Sequence, residues 1–168
     1  IVRGVAEGRR IFSNIKKSVS FLLRTNLVEV IILLVAVTFA MPLPLLPIHL
    51  LFINLLTDSF PALALAFEPA DRGIMRQKPR PTSEGFLDGQ FFGIVVLGIS
   101  GAIIALLAFA FAMLKDVPIE QAQTLTLATI VAIELLVIFS IRRKEFFFSR
   151  KKRPKNPWVF RAVLLAFA

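Results

Sequence analysis

The chain has 168 residues, of which 57% are hydrophobic and none is cysteine, and it carries a net charge of +9. Soluble domains contain about 45–50% apolar residues, so the composition indicates a membrane protein rather than a soluble domain. The lack of cysteine excludes disulfides and thiolate metal sites.

The basic residues are grouped in three stretches of the chain. Residues 3–24, 72–80 and 142–161 together hold 19 of the 20 Lys and Arg residues. Apolar segments separate the stretches, and alternate junctions between these segments are almost free of positive charge. This spacing is typical of positive-inside membrane topology. It does not favour nucleic-acid binding, so we expect no nucleic-acid partner.

The apolar segments predict an all-α membrane bundle of four complete transmembrane helices and a truncated fifth. A membrane-spanning helix needs about 20 mainly apolar residues. We predict a cytosolic stalk over residues 1–20 and a transmembrane region over residues 21–168. Its spans are predicted at about 21–40, 48–67, 90–113, 122–141 and 158–168. Both ends of the four-span unit then face the cytosol, as do the loops 68–89 and 142–157, whereas 41–47 and 115–121 face outward.

Three carboxylates lie inside predicted spans, and each has polar neighbours. Asn26 precedes Glu29 by three residues, and Asn54 precedes Asp58 by four, so each pair shares a helix face. Glu134 shares a face with Thr126 more nearly than with Thr129. Interhelical hydrogen bonding would explain isolated Asn and Thr residues, but a buried acid without a basic partner is costly. A cluster of oxygen donors suits Ca²⁺, which takes about 6–8 oxygen ligands.

Pro61 follows directly on the polar stretch of the second span. Proline donates no backbone hydrogen bond, and its ring clashes with the carbonyl four residues earlier. We therefore expect the second helix to be unwound near Asn54–Pro61. Such breaks are tolerated where the freed carbonyls line a site; the alternative is a simple proline kink.

Three segments carry a resemblance to a known family. The sequences "LLRTNLVEV", "LLPIHLLFINLLTDSFPALALAFEP" and "IVAIELLVIF" resemble the fifth, sixth and eighth membrane helices of type II P-type ATPases. The nearest branch is that of calcium pumps of the sarcoplasmic-reticulum type and their bacterial relatives. "GVAEGRRIFSNIKKSVSFLL" resembles the end of the phosphorylation domain and the stalk that leads into the fifth helix.

The resemblance implies a set of metal ligands on three helices. These are Asn26 and Glu29, then Asn54, Thr57 and Asp58, and finally Glu134. It also implies Ca²⁺ as the transported ion, at two ions per cycle, and a further glutamate on a fourth helix outside this chain. Two positions depart from the pattern: Val28 stands where calcium pumps often have Gly, and Arg24 replaces a small residue.

The resemblance also implies partners. ATP and Mg²⁺ would act only through cytosolic domains, because the DKTGT phosphorylation sequence does not occur in these residues. The partners are the lipid bilayer and the remaining N-terminal membrane helices and cytosolic domains of a parent pump. We expect no ATPase activity of the chain by itself. We expect it in a plasma membrane of bacterial type, with an organelle membrane as the alternative.

Two alternatives remain at this point. Within the same class, the transported ion could be Mn²⁺, Na⁺, K⁺ or H⁺. From a different class, the chain could be a free-standing membrane channel or an assembly protein derived from a pump.

Overall fold

A computed structural model describes residues 1–69, 74–76, 85–142 and 161, without the side chain of residue 142. The regular elements of the described part are all helices and no strand occurs in it, so the predicted all-α architecture is confirmed. Its elements are α1 (Val2–Thr38), α2 (Pro47–Phe52), a π-helix (Ile53–Asp58), α3 (Ser59–Ala66), a 3₁₀ turn (Ile74–Arg76), α4 (Phe91–Leu114) and α5 (Ile119–Arg142). Of the predicted fifth span and the loop before it, all but residues 142 and 161 lie outside the described residues.

Four helices are long and apolar enough to cross a membrane. They are α1, the continuous segment Pro47–Ala66, α4 and residues Ile119–Ile141 of α5. Each of the four complete spans predicted from the sequence falls on one of them.

Helix α1 is much longer than a membrane needs. Its 37 residues extend over about 55 Å at 1.5 Å per residue, against about 30 Å for the hydrocarbon core. The N-terminal part, where most side chains up to residue 12 are exposed, therefore projects beyond the bilayer.

The projecting part of α1 is tied to the end of the second spanning helix. Asn14 Nδ2 donates to the carbonyls of Ala66 (3.0 Å) and Glu68 (2.6 Å), and Ser18 Oγ donates to the carbonyl of Ala62 (2.9 Å). The carbonyls of Ala66 and Glu68 lie at and just beyond the C-terminal end of α3, where backbone acceptors lack partners within the helix, whereas that of Ala62 lies within α3. Three hydrogen bonds thus connect α1 to the C-terminal half of α3 and the residues that follow it.

Helix α1 is also the centre of the bundle, packed against α3, α4 and α5. Its approach to α4 depends on two glycines. A Cβ atom on Gly98 would lie 2.5 Å from Leu27 Cδ2, and one on Gly101 would lie 2.8 Å from Val28 Cγ2. Small residues permit this spacing between membrane helices. The bulk of Val28, noted above as a departure from the calcium pumps, is accommodated by Gly101.

Two apolar clusters flank a polar layer in the bundle. One contains Phe21, Ala64, Leu65, Val137 and Ile138; the other contains Val28, Ile32, Leu45, Ile53, Ala102, Ala105 and Ile130. Along the chain, Thr25, Asp58 and Glu134 fall between residues of the two clusters, and Glu29 follows directly on Val28 of the second cluster. Because each cluster excludes water from one side, the polar layer between them is enclosed by hydrocarbon.

The sequence led us to expect that the second spanning helix is unwound near Asn54–Pro61. Instead, the helix is continuous and has a wider turn there. Residues Ile53–Asp58 form a π-helix between α2 and α3. Pro61, which has no N–H, lies in the first turn of α3, and a wider turn accommodates its ring without loss of the helical path. The Ser59 hydroxyl donates to the carbonyl of Asn54 at 2.8 Å, which satisfies an acceptor in the widened turn. The chain thus stays helical through this segment, and only the pattern of its backbone hydrogen bonds differs from that of an α-helix.

Candidate functional site

Helix α1 and the π-helix face each other through two polar pairs. Thr25 Oγ1 donates to Asp58 Oδ2 at 2.8 Å, and Asn54 Nδ2 donates to Glu29 at 3.1 Å (Oε2) and 3.3 Å (Oε1). In each element the two partners are four residues apart. The helices run antiparallel, so the pairs form successive rungs between them. The prediction that Asn54 and Asp58 share a face is therefore confirmed.

A third polar pair joins the π-helix to α5. Thr57 Oγ1 lies 2.9 Å from Glu134 Oε2 and also 2.9 Å from the carbonyl of Ile53. The π-helix thus directs Asp58 toward α1 and its neighbour Thr57 toward α5. Through these pairs, the π-helix is linked to Glu29 of α1 and to Glu134 of α5, and it carries Asp58 itself.

The three acids are almost fully enclosed. Glu29, Asp58 and Glu134 are 5%, 1% and 2% exposed. Asp58 Oδ1 and Glu134 Oε1 are buried without a hydrogen-bond partner. No Lys or Arg among the described residues forms an ion pair with any of the three, since the ion pair found there joins Arg10 and Glu7 near the start of α1. Asp58 Oδ1 and Glu134 Oε1 are therefore available to bind a cation, in a region whose other charged group is also an acid.

Asn26 and Asn54 occupy less enclosed positions. Asn26 is partly buried, and its amide donates to the carbonyl of Leu22 in the same helix at 2.7 Å. Asn54 is exposed on the surface of the described residues even though it contacts Glu29. The geometry thus brings together five of the six predicted ligands, whereas Asn26 contacts its own backbone.

The positions of the two threonines in α5 agree with the sequence analysis. Thr126 is fully buried, as Glu134 is, whereas Thr129 is only partly buried. Both hydroxyls donate to carbonyls of their own helix. Thr126 thus lines the bundle without a contact to the acids.

Thr25 was not among the predicted site residues. It is 2% exposed and makes the direct contact to Asp58. The signal for it was its position four residues before Glu29, which places both side chains on one face of α1.

The acids do not form a complete metal cage by themselves. Over the described ranges, no three His, Cys, Asp or Glu side chains converge so as to hold an ion. An ion bound here would also need neutral oxygens, which Thr57, Asn54 and the carbonyls of the π-helix can offer. Oxygen donors of this kind are those that hard cations prefer.

The fold and the site define a class of protein: an integral, multi-pass helical membrane protein whose interior carries unpaired acids. Ionisable residues inside a membrane are expensive and mark ion or proton pathways. Residues 42–168 match a family described as "Cation transporting ATPase, C-terminus". The chain belongs to this family, and the resemblance to P-type ATPases is confirmed.

Comparison with individual proteins gives the same family. The chain is 34% identical to "Calcium-transporting ATPase" of Bacillus subtilis over 166 residues, which is 98% of the chain and 18% of that protein. It is 33% identical to a calcium-transporting ATPase of Listeria monocytogenes over 174 residues, 99% of the chain and 19% of that protein. It is 43% identical to "P-type sodium-transporting ATPase4" of Plasmodium falciparum over 115 residues, 67% of the chain and 9% of that protein. The chain thus spans less than a fifth of the length of these relatives.

Proposed function

We propose that this chain is the cation-binding part of the membrane region of an ATP-driven calcium pump. The observation that carries the proposal is the enclosure of Glu29, Asp58 and Glu134 without a basic partner. A cation between the helices would compensate this charge, which the described residues leave unbalanced. Because the site lies between elements that can move relative to one another, the ion need not stay bound throughout a cycle.

The ligands we propose are Asn26, Glu29, Asn54, Thr57, Asp58 and Glu134. Asp58 Oδ1 and Glu134 Oε1, which have no hydrogen-bond partner, would be the first oxygens to accept the ion. Glu29 would turn from the Asn54 amide nitrogen to the ion, and the amide oxygen of Asn54 would be a further ligand. Asn26 would have to rotate away from the carbonyl of Leu22.

The exposure of Asn54 supports a further partner for this face. Leu51 and Leu55, its neighbours on the surface, are 59% and 61% exposed. An amide that faces lipid would be costly, so we propose that another membrane helix of a longer protein covers Asn54 and adds a carboxylate. The relatives are long enough to contain such a helix.

Residues 1–20 would form the stalk that couples this site to cytosolic domains. Asn14 and Ser18 hold the C-terminal end of α3, and α3 continues directly from the π-helix. A tilt of α1 would therefore alter the backbone around Thr57 and Asp58. ATP and Mg²⁺ would act on the cytosolic domains, at a distance from the ion.

Calcium is the ion we favour because the proposed donors are hard oxygens and two relatives named above are calcium-transporting ATPases. Sodium is the second candidate, since the Plasmodium falciparum relative is a sodium-transporting ATPase and Na⁺ is also bound by oxygen.

The deciding experiment is phosphorylation by ATP of the full-length protein that carries this chain, measured against free Ca²⁺ and against Na⁺. We expect micromolar Ca²⁺ to switch phosphorylation on in the absence of Na⁺. The surface variant Glu120→Gln serves as the control, because Glu120 is exposed. Phosphorylation that depends on Na⁺ and is unaffected by Ca²⁺ would refute the calcium assignment and support sodium. Phosphorylation that depends on neither ion would refute both assignments, and a lack of phosphorylation by ATP under every ionic condition would refute the pump.

A further inference from the structure

A second polar region lies at the cytosolic end of the bundle, apart from the three acids. It is a cavity of about 440 Å³ lined by the projecting part of α1, the turn before α4 and the last residues of α5. The side chains that define it are Ser13, Lys16, Lys17, Ser20, Arg24 and Asp88. They contribute three positive charges and one negative charge, together with two hydroxyls.

The negative charge is engaged in its own turn. Asp88 Oδ2 accepts a hydrogen bond of 2.6 Å from the backbone N–H of Gly85, and Asp88 itself is exposed. Lys16 Nζ binds the main-chain carbonyl of Asp88 at 3.0 Å rather than its carboxylate. Among the described side chains that line the cavity, positive charges therefore outnumber negative ones.

Two donors at the cavity are buried without an acceptor. Ser20 is 1% exposed, and its Oγ has no hydrogen-bond partner. Arg24 Nε is likewise buried without a partner. A buried donor that lacks an acceptor is costly, so both groups call for a ligand with several acceptor oxygens.

The first turn of α4 adds a second favourable feature. The N-cap residue Gln90, which lines the cavity, makes no side-chain capping bond, although the Phe91 N–H already donates to the carbonyl of Leu87 at 3.2 Å. Helix N-termini bind anions. The guanidinium of Arg24 also lies close to this turn, since a Cβ atom on Gly93 would be in ordinary van der Waals contact with Arg24 Nη2, at 3.4 Å.

We propose that this cavity binds a phosphate group, carried either by a phospholipid headgroup or by free phosphate. The guanidinium of Arg24 would contact the phosphate oxygens, the Ser20 hydroxyl would donate to one of them, and Lys16 and Lys17 would supply further charge. Phe91 and Phe92, which are 66% and 81% exposed beside the cavity, suit the interfacial depth at which headgroups lie.

Native mass spectrometry of the full polypeptide in neutral detergent tests the lipid source. The probes are dioleoyl phosphatidylglycerol and chain-matched dioleoylglycerol, which lacks the phosphate. We expect selective retention of phosphatidylglycerol, lowered about fivefold by Arg24→Gln, as is typical for loss of one basic residue at an anionic surface. Ser20→Ala, which removes only a hydroxyl, should also lower the retention of phosphatidylglycerol. Lys115→Gln, at the outer end of α4, should leave this retention unchanged.

Radiolabelled inorganic phosphate, added to the same proteins without lipid, tests the free source. Binding that Arg24→Gln and Ser20→Ala weaken, with no lipid preference, would assign the cavity to free phosphate. Phosphatidylglycerol retention without phosphate binding would assign it to a headgroup. Absence of both, or an equal loss in Lys115→Gln, would overturn the proposal. Calcium binding by the same preparations reports on the acidic site separately.

Discussion

Thr25 Oγ1 and Asp58 Oδ2 are joined by a hydrogen bond of 2.8 Å between helix α1 and the π-helix, one rung away from the bond between Asn54 and Glu29. It is the one hydrogen bond that the Asp58 carboxyl group makes among the described residues, since Oδ1 has no partner. Thr25 therefore fixes the orientation of the acid at the centre of the polar layer.

Replacement of Thr25 by the isosteric Val should weaken ion binding. A hydrogen bond to a charged group contributes about 1.5–3 kcal/mol, so the apparent affinity for Ca²⁺ should fall roughly 10- to 100-fold. Thr25→Ser, which keeps the hydroxyl, should retain affinity within a few-fold. The measurement is the Ca²⁺ dependence of phosphorylation in the full-length protein. Equal affinities for Thr25→Val and Thr25→Ser would show that the hydroxyl plays no part in the site.

Asp58→Asn should abolish cation-dependent phosphorylation by ATP while expression remains largely intact. The substitution keeps the shape of the side chain but removes its charge, and Asp58 lies next to both other acids in the layer. Phosphorylation titrations on purified protein check this. A variant that keeps near wild-type ion affinity would mean that Asp58 has a structural role.

Glu29→Gln tests the number of ions. Two Ca²⁺ ions require several carboxylates to balance their four charges, and Glu29 is one of the three acids inside the predicted spans. We expect two ions per full-length protein by equilibrium radiocalcium binding, and at most one after the substitution. A single ion in both proteins would show that Glu29 is not a ligand.

The membrane topology can be tested by single cysteines, because the chain has none of its own. Met75→Cys in the loop after α3 should react with impermeant reagents only from the cytosolic side. Glu120→Cys at the start of α5 should react only from outside. Both positions are exposed, so a lack of labelling would not be due to burial. Labelling of position 75 only from outside would reverse the arrangement derived from the basic residues.

The fit between Gly101 and Val28 predicts non-additive stability. Gly101→Ala should destabilise the bundle by about 1–3 kcal/mol, because the new methyl group overpacks against a stiff β-branched side chain. When Gly101→Ala is combined with Val28→Ala, the loss in the free energy of unfolding should be smaller than the sum of the losses for the two single substitutions. Thermal unfolding in detergent measures this. Gly8→Ala is the control, since no atom lies within 4 Å of its added Cβ; additive costs would refute the contact.

The sequence by itself determined the membrane class, the four complete spans and the choice of acidic residues. Apolar length and basic clustering are local properties, and the free-energy cost of a charge in lipid holds whatever the neighbouring helix is. For the same reason, Glu29, Asp58 and Glu134 could be selected without knowledge of their partners.

Only the tertiary structure decided how these residues meet. The π-helix results from a balance between the missing N–H of Pro61 and the packing of α3 against α1, which no local pattern contains. The contact between Thr25 and Asp58 spans 33 positions, so it depends on helix register. Likewise, Asn26 follows the helical spacing of a ligand yet binds its own backbone, because spacing fixes the face of a helix but not the side-chain rotamer.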